Sequence, residues 1–323
     1  MTAAIVMGGY SGEYEVSLKS GEYLYSQIDK SNYEVYKVHI LKDGWNVIAG
    51  EKKYPIDRED FSFTLDGRKI TFDVVVNIIH GTPGENGLLQ AYWQLFGIPY
   101  TGCSFYNSAL TFNKKDTLQI MGRYGISIAD SVSLSQNEKI DEAAIIQKLG
   151  LPCFVKPNQS GSSLGVSKVK TKEELKPAIE KAFLEDDFVL VESFLQGREF
   201  SVGVMKYEGE TLAVGITEII SENEFFDYEA KYLGKSTEVT PAQIDENEER
   251  ELKETAKSIY NLLNMTGFAR IDFILVGKTA YFLEINTNPG CSPASIFPQQ
   301  AKYAGFDFSK ILDNEIELAL HRI

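Results

Sequence analysis

Cysteine, histidine and basic residues are scarce in this 323-residue sequence. The three cysteines, Cys103, Cys153 and Cys291, lie far apart, so they provide neither a disulfide framework nor the spacing of a zinc site. Lys and Arg total 32 against 46 Asp and Glu, which gives a net charge of −14. An acidic protein repels nucleic-acid backbones and anionic lipids. The composition therefore argues against nucleic-acid and membrane partners, while a local basic pocket for a nucleotide stays compatible with it.

Long apolar stretches are also missing. The longest run, residues 74–79, is interrupted by Asn77 and is too short to span a bilayer. Residues 1–7 lack the basic start of a signal peptide. With 43% hydrophobic and 24% charged residues, the composition is that of a globular protein. We expect a cytoplasmic protein whose length suits two or three lobes.

Strand and helix patterns alternate over the first hundred residues. Apolar stretches predict buried strands at 2–7, 33–41 and 73–79. Apolar residues at helical spacing predict helices around 18–28 and 88–96. Such alternation indicates a parallel sheet covered by helices.

The remaining chain shows two further patterns. In its middle part, short apolar strands flank a Gly/Ser-rich loop and two amphipathic helices, at 138–149 and 172–185, which indicates a small α+β lobe. Its last third contains a polar loop with four aromatic residues at 221–240. This part ends in two alternating strands, at 268–276 and 279–286, separated by a tight turn.

The two late strands carry the sharpest functional signal. Because side chains alternate along a strand, Arg270 and Asp272 share one face of the first strand, and Glu284 and Asn286 share one face of the second. If the chain turns at Gly277-Lys278, Asp272 falls about opposite Glu284. From these strands alone, an ion-pair cluster of Arg270 with the two carboxylates and a site for a hard cation are equally plausible. Magnesium prefers oxygen ligands of this kind.

A Gly/Ser-rich loop at 158–165 follows Lys156 at the end of a predicted strand. Small residues let backbone amides approach an anion closely. The loop is not a P-loop, because no Lys-Ser or Lys-Thr follows its second glycine. Alone it is equally typical of a flexible hairpin turn. Together with Lys156, Lys114 and the acidic hairpin, it predicts a nucleotide cradle.

Two positions near the first lobe's strand ends are further candidates. Glu13 follows the turn Gly8-Gly9-Tyr10-Ser11-Gly12, which lacks the spacing of a dinucleotide fingerprint. A capping role at the following helix would also explain Glu13. His80 ends a buried strand, the place where α/β sheets position ligands, although a lone histidine there is more often structural.

Several segments, in order over nearly the whole chain, resemble the D-alanine–D-alanine ligases of the ATP-grasp superfamily. The N-terminal glycine turn and Lys231-Tyr232 are specific to that family, whereas the carboxylate hairpin is shared by ATP-grasp enzymes generally. The resembling segments are residues 8–17, His80-Gly81 with 84–87, Lys156-Pro157 with 161–163, residues 228–232, Arg270-Ile271-Asp272 and residues 284–290.

This resemblance implies an ATP-grasp fold with a Rossmann-like parallel-sheet domain, α/β and α+β in class, in three lobes. The implied divisions are a substrate domain at 1–102, a central ATP-grasp lobe at 103–191, and a C-terminal lobe with the metal and substrate site at 192–323. It further implies ATP as a substrate, two Mg²⁺ or Mn²⁺ ions, D-alanine as the amino acid and a homodimer.

The resemblance also implies a role for each of 18 residues. In catalysis it implies Glu13, Ser162, Tyr232, Arg270 and Gly290, with Arg270 and the Gly290 amide as the oxyanion hole. For the two D-alanines it implies Glu13 and His80 at the first, and Lys231, Ser295 and Ile296 at the second. For ATP it implies Lys114, Lys156, Ser163, Glu192, Leu195 and Glu199. For the metal ions it implies Asp272, Glu284 and Asn286.

The implied reaction joins two D-alanines through an acyl phosphate, for peptidoglycan precursors. Two alternatives are a D-alanine–D-lactate ligase and another ATP-grasp carboxylate–amine ligase. Lys231-Tyr232 favours the dipeptide-forming type. A non-catalytic nucleotide-binding protein would require a broken site, and every expected ligand is present. Ser160 and Ile296 depart from the common family residues, which bears only on fine substrate preference.

Overall fold

The computed structural model describes residues 1–161, 164–221 and 236–322. Its helices and strands form three sheets with helices packed against them. Among the described residues, no helix is both long and apolar enough to cross a lipid bilayer. The predicted strands and helices of each part of the chain are present, with shifted ends.

The N-terminal sheet has seven strands, in the order β6-β5-β4-β3-β2-β1-β7. Its elements are β1 Thr2–Gly8, α1 Tyr14–Gln27, β2 Glu34–Leu41, β3 Gly44–Ala49, β4 Lys52–Asp57, β5 Ser62–Leu65, β6 Arg68–Ile70, β7 Val74–Asn77 and α2 Leu88–Leu95. Only β1 pairs in parallel, with β2 on one side and β7 on the other. The expected parallel sheet is therefore confirmed for three strands and is extended by an antiparallel meander.

Tight turns explain the antiparallel extension. Asp66 and Gly67 connect β5 to β6 with left-handed φ angles of 50° and 77°. Two consecutive positive φ angles are the geometry of a type I′ hairpin turn, for which Asp-Gly is a preferred pair. Beyond β7 the sheet gains, among the described residues, only a single parallel bridge, between Val75 and Tyr100.

The central part is a four-stranded antiparallel sheet, in the order β10-β9-β11-β8, preceded by two helices. Its elements are α3 Phe105–Phe112, α4 Lys114–Arg123, β8 Ser131–Ser135, α5 Glu142–Leu149, β9 Cys153–Pro157, β10 Ser167–Val169, α6 Lys172–Ala182 and β11 Phe188–Ser193. A capping box of Thr171 and Glu174, a pair visible in the sequence, starts α6. The predicted helix at 138–149 begins only at Glu142, because Asp141 caps it.

The C-terminal part is a five-stranded antiparallel sheet, in the order β14-β13-β12-β15-β16. Its elements are β12 Arg198–Tyr207, β13 Glu210–Ser221, β14 Ser236–Val239, α7 Glu246–Leu262, β15 Ala269–Val276, β16 Thr279–Asn286, α8 Ile296–Tyr303 and α9 Phe308–Leu320. The loop expected at 221–240 lies mostly outside the described residues. The part of it at Ser236–Val239 is a strand.

The N-terminal and C-terminal parts share one hydrophobic core. Met7 of β1 and Leu24 of α1 pack in the same buried cluster as Phe297 of α8 and Ile311 of α9. Each of these four side chains is at most 1% exposed, and burying such a side chain stabilises the fold by roughly 1.5–3 kcal/mol. This shared core holds the ends of β1 and β7 next to the loop that follows β16.

Candidate active site

A cavity of about 390 Å³ lies where the three sheets approach one another. Residues from the N-terminal strand ends, the Gly/Ser loop and the β15–β16 hairpin form its wall. Ten of the expected site residues line it: Glu13, His80, Lys114, Lys156, Arg270, Glu284, Asn286, Gly290, Ser295 and Ile296. The fold thus brings residues separated by up to 283 positions into one cavity.

Glu13 stands at the N-terminal end of α1, where its side chain makes no capping hydrogen bond. The alternative explanation of Glu13 as a helix cap is therefore wrong. Ser17 links the strand ends instead, since its hydroxyl donates to the Ile78 carbonyl at 2.7 Å and accepts from the Gly8 amide at 2.9 Å. Glu13 itself lines the cavity.

His80 is 5% exposed and has both ring nitrogens in hydrogen bonds. Its Nδ1 lies 2.7 Å from the Asn288 carbonyl, and its Nε2 lies 3.1 Å from the Ser20 hydroxyl. Burial lowers the pKa of His80, outweighing the opposing effect of Glu13. The ring is therefore neutral at pH 7, with Nδ1–H donating to the carbonyl and Nε2 accepting from Ser20.

Glu85 is a cavity residue absent from the sequence-based set of site residues. Its carboxylate accepts a hydrogen bond from the Gly81 amide at 2.8 Å. Burial, followed by the negative charge of Glu13, raises the pKa of Glu85 to about 7. Residues 84–87 were part of the family resemblance, so a signal existed. Sequence alone does not show that two carboxylates share this end of the cavity.

The two expected phosphate lysines come from a helix and a strand of the central part, and both are paired with glutamates. Lys114, at the start of α4, lies 3.3 Å from Glu284 and donates to the Ser160 carbonyl at 2.8 Å. Lys156, on β9, lies 2.8 Å from Glu192 on β11. Lys114, Lys156 and Glu284 line the cavity together with Ser160 and Gly161 of the loop, whereas Glu192 is buried behind Lys156.

The Gly/Ser loop closes on the first lobe at Gly161. A Cβ atom at Gly161 would lie 2.5 Å from the Glu13 Oε2 atom, so any side chain there would displace the Glu13 carboxylate. Four expected site residues, Ser162, Ser163, Lys231 and Tyr232, lie outside the described residues.

In the β15–β16 hairpin Asp272 lies opposite Glu284, as expected, and Arg270 lies opposite Asn286, with a register shift between Asp272 and Phe273. Arg270 donates to both Asp272 oxygens, at 3.1 and 3.0 Å, and Asn286 Nδ2 donates to one of them at 3.0 Å. Burial alone would lower the pKa of Arg270, but the Asp272 carboxylate outweighs it and raises that pKa. Asp272 is 8% exposed and does not belong to the described cavity wall, because Arg270 occupies its carboxylate.

Residues of the loop after β16 complete the far wall. Ser295 precedes α8, and its hydroxyl accepts from the Ser292 amide at 3.0 Å. Asn288, another residue missing from the sequence-based set, donates through Nδ2 to the backbone carbonyls of Ile79 and Gly84, at 3.3 and 3.1 Å. Its location in the resembling segment 284–290 was the available signal. Asn288 fixes this loop to the N-terminal lobe.

Three of the expected adenine and ribose residues lie away from the described cavity wall. Glu192 is on β11, Leu195 is in the connection to β12, and Glu199 is on β12. Glu192 is 5% exposed, and its Oε1 has no hydrogen-bond partner among the described residues. A buried acceptor of this kind suits an exocyclic amino group.

The donor set of the hairpin fits a hard cation. Two carboxylates, from Asp272 and Glu284, and the amide of Asn286 provide oxygen ligands and leave room for phosphate oxygens. Within residues 1–161, 164–221 and 236–322, no group of three His, Cys, Asp or Glu side chains is arranged to hold a metal ion. This part of the chain therefore offers no closed, all-protein metal cage.

Comparisons with known proteins agree with this arrangement. Residues 2–103 match the family model described as D-ala D-ala ligase N-terminus, and residues 120–317 match that of the D-ala D-ala ligase C-terminus. A D-alanine–D-alanine ligase of Flavobacterium psychrophilum is 56% identical over 322 residues, covering 100% of this chain and 98% of that protein.

Two solved structures are also similar. The D-alanyl-alanine synthetase A of Vibrio cholerae has a TM-score of 0.90 and 31% identity, over 100% of this chain and 99% of that one. A D-alanine–D-alanine ligase of Bacillus anthracis, solved with ATP, has a TM-score of 0.80 and 27% identity, over 100% and 98% of the chains.

Proposed function

The chain belongs to the D-alanine–D-alanine ligase family, and we propose that it joins two D-alanine molecules at the expense of ATP, for peptidoglycan precursors. The observation that carries this proposal is the hairpin register. It sets Asp272 opposite Glu284 and next to Arg270, with Lys114 reaching Glu284 from the central part. One cavity therefore combines cations for phosphate with carboxylates for a cation and for an ammonium group.

The first chemical step makes a carboxylate reactive. A carboxylate oxygen of the first D-alanine attacks the γ-phosphorus of ATP, the bond to ADP breaks, and an acyl phosphate forms. Lys114 and Lys156 face the cavity and stabilise the transferring phosphoryl group by their charge. Glu13, at the opposite end, binds the ammonium group of the same D-alanine. His80, which is neutral, orients the carboxylate of the first D-alanine without neutralising its charge.

The second step forms the peptide bond. The amine of the second D-alanine attacks the acyl carbon, phosphate leaves, and the amine loses a proton. Arg270 and the Gly290 amide would stabilise the oxyanion of the tetrahedral intermediate. Arg270 then exchanges part of its contact with Asp272 for that oxyanion. The relay of Glu13, Ser162 and Tyr232 is the proposed route for the proton.

Asp272, Glu284 and Asn286 are proposed to hold Mg²⁺ or Mn²⁺, two ions in all. Bound there, the ions would neutralise charge on the phosphate oxygens. The chain's contribution is to orient the ligands. The Asp272 oxygens are already held by Arg270 and Asn286, and Glu284 is held by Lys114.

The second amino-acid subsite is proposed to involve Ser295, Ile296 and Lys231, and the adenosine site Glu192, Leu195, Glu199 and Ser163. The Ser295 hydroxyl and the side chain of Ile296, at the N-terminal end of α8, lie on the cavity wall. The unpartnered Glu192 Oε1 supports the adenine assignment. We also propose a cytoplasmic homodimer and the three-lobe division at residues 102 and 191.

ATP-dependent phosphate release tests the reaction. We expect release with D-alanine, none with L-alanine, and no gain when D-lactate is added to D-alanine at neutral pH. A preference for D-lactate would favour the alternative ligase. The variant E284Q should abolish turnover with the fold intact, whereas E51Q, at an exposed position, should retain it. Full activity of E284Q would overturn the metal assignment.

A further inference from the structure

A row of polar side chains crosses the C-terminal sheet beneath the active site. Strand register aligns Glu284 of β16 with Asp272 of β15, then with Ser201 of β12 and Thr217 of β13. Ser201 is 1% exposed and Thr217 is 0% exposed. Polar groups at such depth are costly unless they are hydrogen-bonded, so the partners of this row indicate its purpose.

Helix α8 covers the buried end of the row through Gln300. Its Nε2 donates to the Ser201 carbonyl at 2.9 Å and to the Thr217 hydroxyl at 3.0 Å. Gly203 makes room for this side chain, because a Cβ atom there would lie 2.2 Å from the Gln300 Oε1. The backbone of Ser201 is thereby held from the helix side, and its hydroxyl remains for another partner.

That partner is Asp272. The Ser201 hydroxyl lies 2.5 Å from Asp272 Oδ1, and an ionised carboxylate only accepts, so the hydroxyl is the donor. Arg270 donates to both oxygens and Asn286 to Oδ2. Four donors match the roughly four lone-pair sites of a carboxylate.

The three residues that provide these four donor groups differ in position. Arg270 and Asn286 line the cavity, whereas Ser201 does not belong to the described wall. Both cavity donors have a second task in the proposed reaction, toward the oxyanion and the cation. When Arg270 turns part of its contact toward the oxyanion, Asp272 keeps the Ser201 hydroxyl, a donor that comes from the neighbouring strand and lies outside the described cavity wall.

We propose that Ser201 is a positioning residue that holds the Asp272 carboxylate in its ligand orientation. This inference rests on the proposed function, since it requires Asp272 to be a cation ligand. Without the hydroxyl, Asp272 Oδ1 loses its donor from the neighbouring strand, so the carboxylate is less restrained against rotation about its terminal bond when Arg270 shifts part of its contact away. Loss of such a supporting contact typically costs about 10- to 100-fold in metal affinity.

Mn²⁺ binding, followed by electron paramagnetic resonance with a non-hydrolysable ATP analogue present, tests this role without turnover. We expect S201A to weaken Mn²⁺ binding about tenfold, with circular dichroism and affinity for the metal-free analogue unchanged. S201C, whose thiol is a weaker donor, should give a smaller loss and serves if S201A folds poorly. S108A is the matched control, because Ser108 is buried and its hydroxyl has no partner among the described residues.

The variant D272N distinguishes the role of Ser201 from the assignment of Asp272 as a cation ligand. Wild-type Mn²⁺ affinity in S201A and S201C, with a large loss in D272N, would overturn the role of Ser201 and leave the cation assignment standing. Wild-type affinity in D272N would overturn the cation assignment, and the role of Ser201 with it. Equal losses in S201A and S108A would also overturn the inference, since the effect would then follow from deleting any buried hydroxyl.

Discussion

Glu315, on α9, should make the stability of the protein depend on pH. It is 2% exposed, and a Cβ atom at Gly267 would lie 3.0 Å from its Oε2. Burial raises the pKa of Glu315 from 4.5 to about 7, against the opposing effects of Arg322 and of the Gly102 and Phe268 backbone. The native state therefore binds this proton more tightly than the unfolded chain.

The sign follows from that difference in proton affinity. Between pH 4.5 and 7 the native state carries more protons at Glu315 than the unfolded state, so the free energy of unfolding falls as pH rises. At 1.36 kcal/mol per pH unit, the full loss is about 3 kcal/mol. This loss in the free energy of unfolding is complete above pH 7. Glutamine resembles the protonated acid and retains an oxygen to accept the backbone N–H groups, so E315Q should not suffer this loss.

Thermal unfolding from pH 4.5 to 9 measures the effect. We expect the Tm of E315Q to equal that of the wild type near pH 4.5 and to exceed it by about 5 °C above pH 7, given the unfolding entropy of a chain of this length. E51Q, at an exposed position, should follow the wild type throughout. A constant difference between E315Q and the wild type over the whole range would refute the reasoning.

Three further variants test contacts at the cavity. K156M leaves the Glu192 carboxylate buried without its cation, so thermal unfolding should show a loss of about 3–5 kcal/mol in the free energy of unfolding. The KM for ATP should rise as well. K156R, which keeps the positive charge, should show a smaller loss of stability and a smaller rise in KM. G161A places a Cβ atom against Glu13, so kcat/KM for D-alanine should fall at least tenfold with little change in Tm; unchanged kinetics would contradict the close approach. N288A removes two hydrogen bonds to the N-terminal lobe, so chemical denaturation should show about 1–3 kcal/mol of lost stability.

The β15–β16 hairpin shows which parts of the site were predictable from sequence. Polar and apolar residues alternate at Arg270–Asp272 and at Glu284–Asn286, and Gly277-Lys278 joins the two strands, so local pattern predicts which face the polar residues share. The exact pairing depends on a register shift between Asp272 and Phe273, which the pattern does not predict, since a regular two-residue turn would set Asp272 opposite Leu283. The predicted opposition of Asp272 and Glu284 is confirmed. Similarly, the capping box of Thr171 and Glu174 is a local signal, and the structure contains it.

Other features depend on contacts that no local pattern encodes. The bond between His80 and the Asn288 carbonyl joins residues 208 positions apart, and the neutral state of His80 follows from the burial that this packing creates. The raised pKa of Glu85 has the same origin, since desolvation depends on the assembled cavity. The β5–β6 hairpin, in contrast, has a local sequence signal. Asp66-Gly67 is a recognisable turn pair, which the sequence-based prediction missed.

The pairing of Lys114 with Glu284 and of Lys156 with Glu192 has a consequence for selectivity among anions. A single inorganic phosphate reaching one lysine must displace a carboxylate that is already bound and gains one contact in return. A triphosphate displaces two carboxylates, but its linked phosphates make the second exchange intramolecular, with an effective concentration far above that of free anions. The two glutamates thereby compete with anions for the lysines. A triphosphate, which has several linked phosphate groups, displaces them more readily than a single phosphate does, so free phosphate should compete only weakly with ATP.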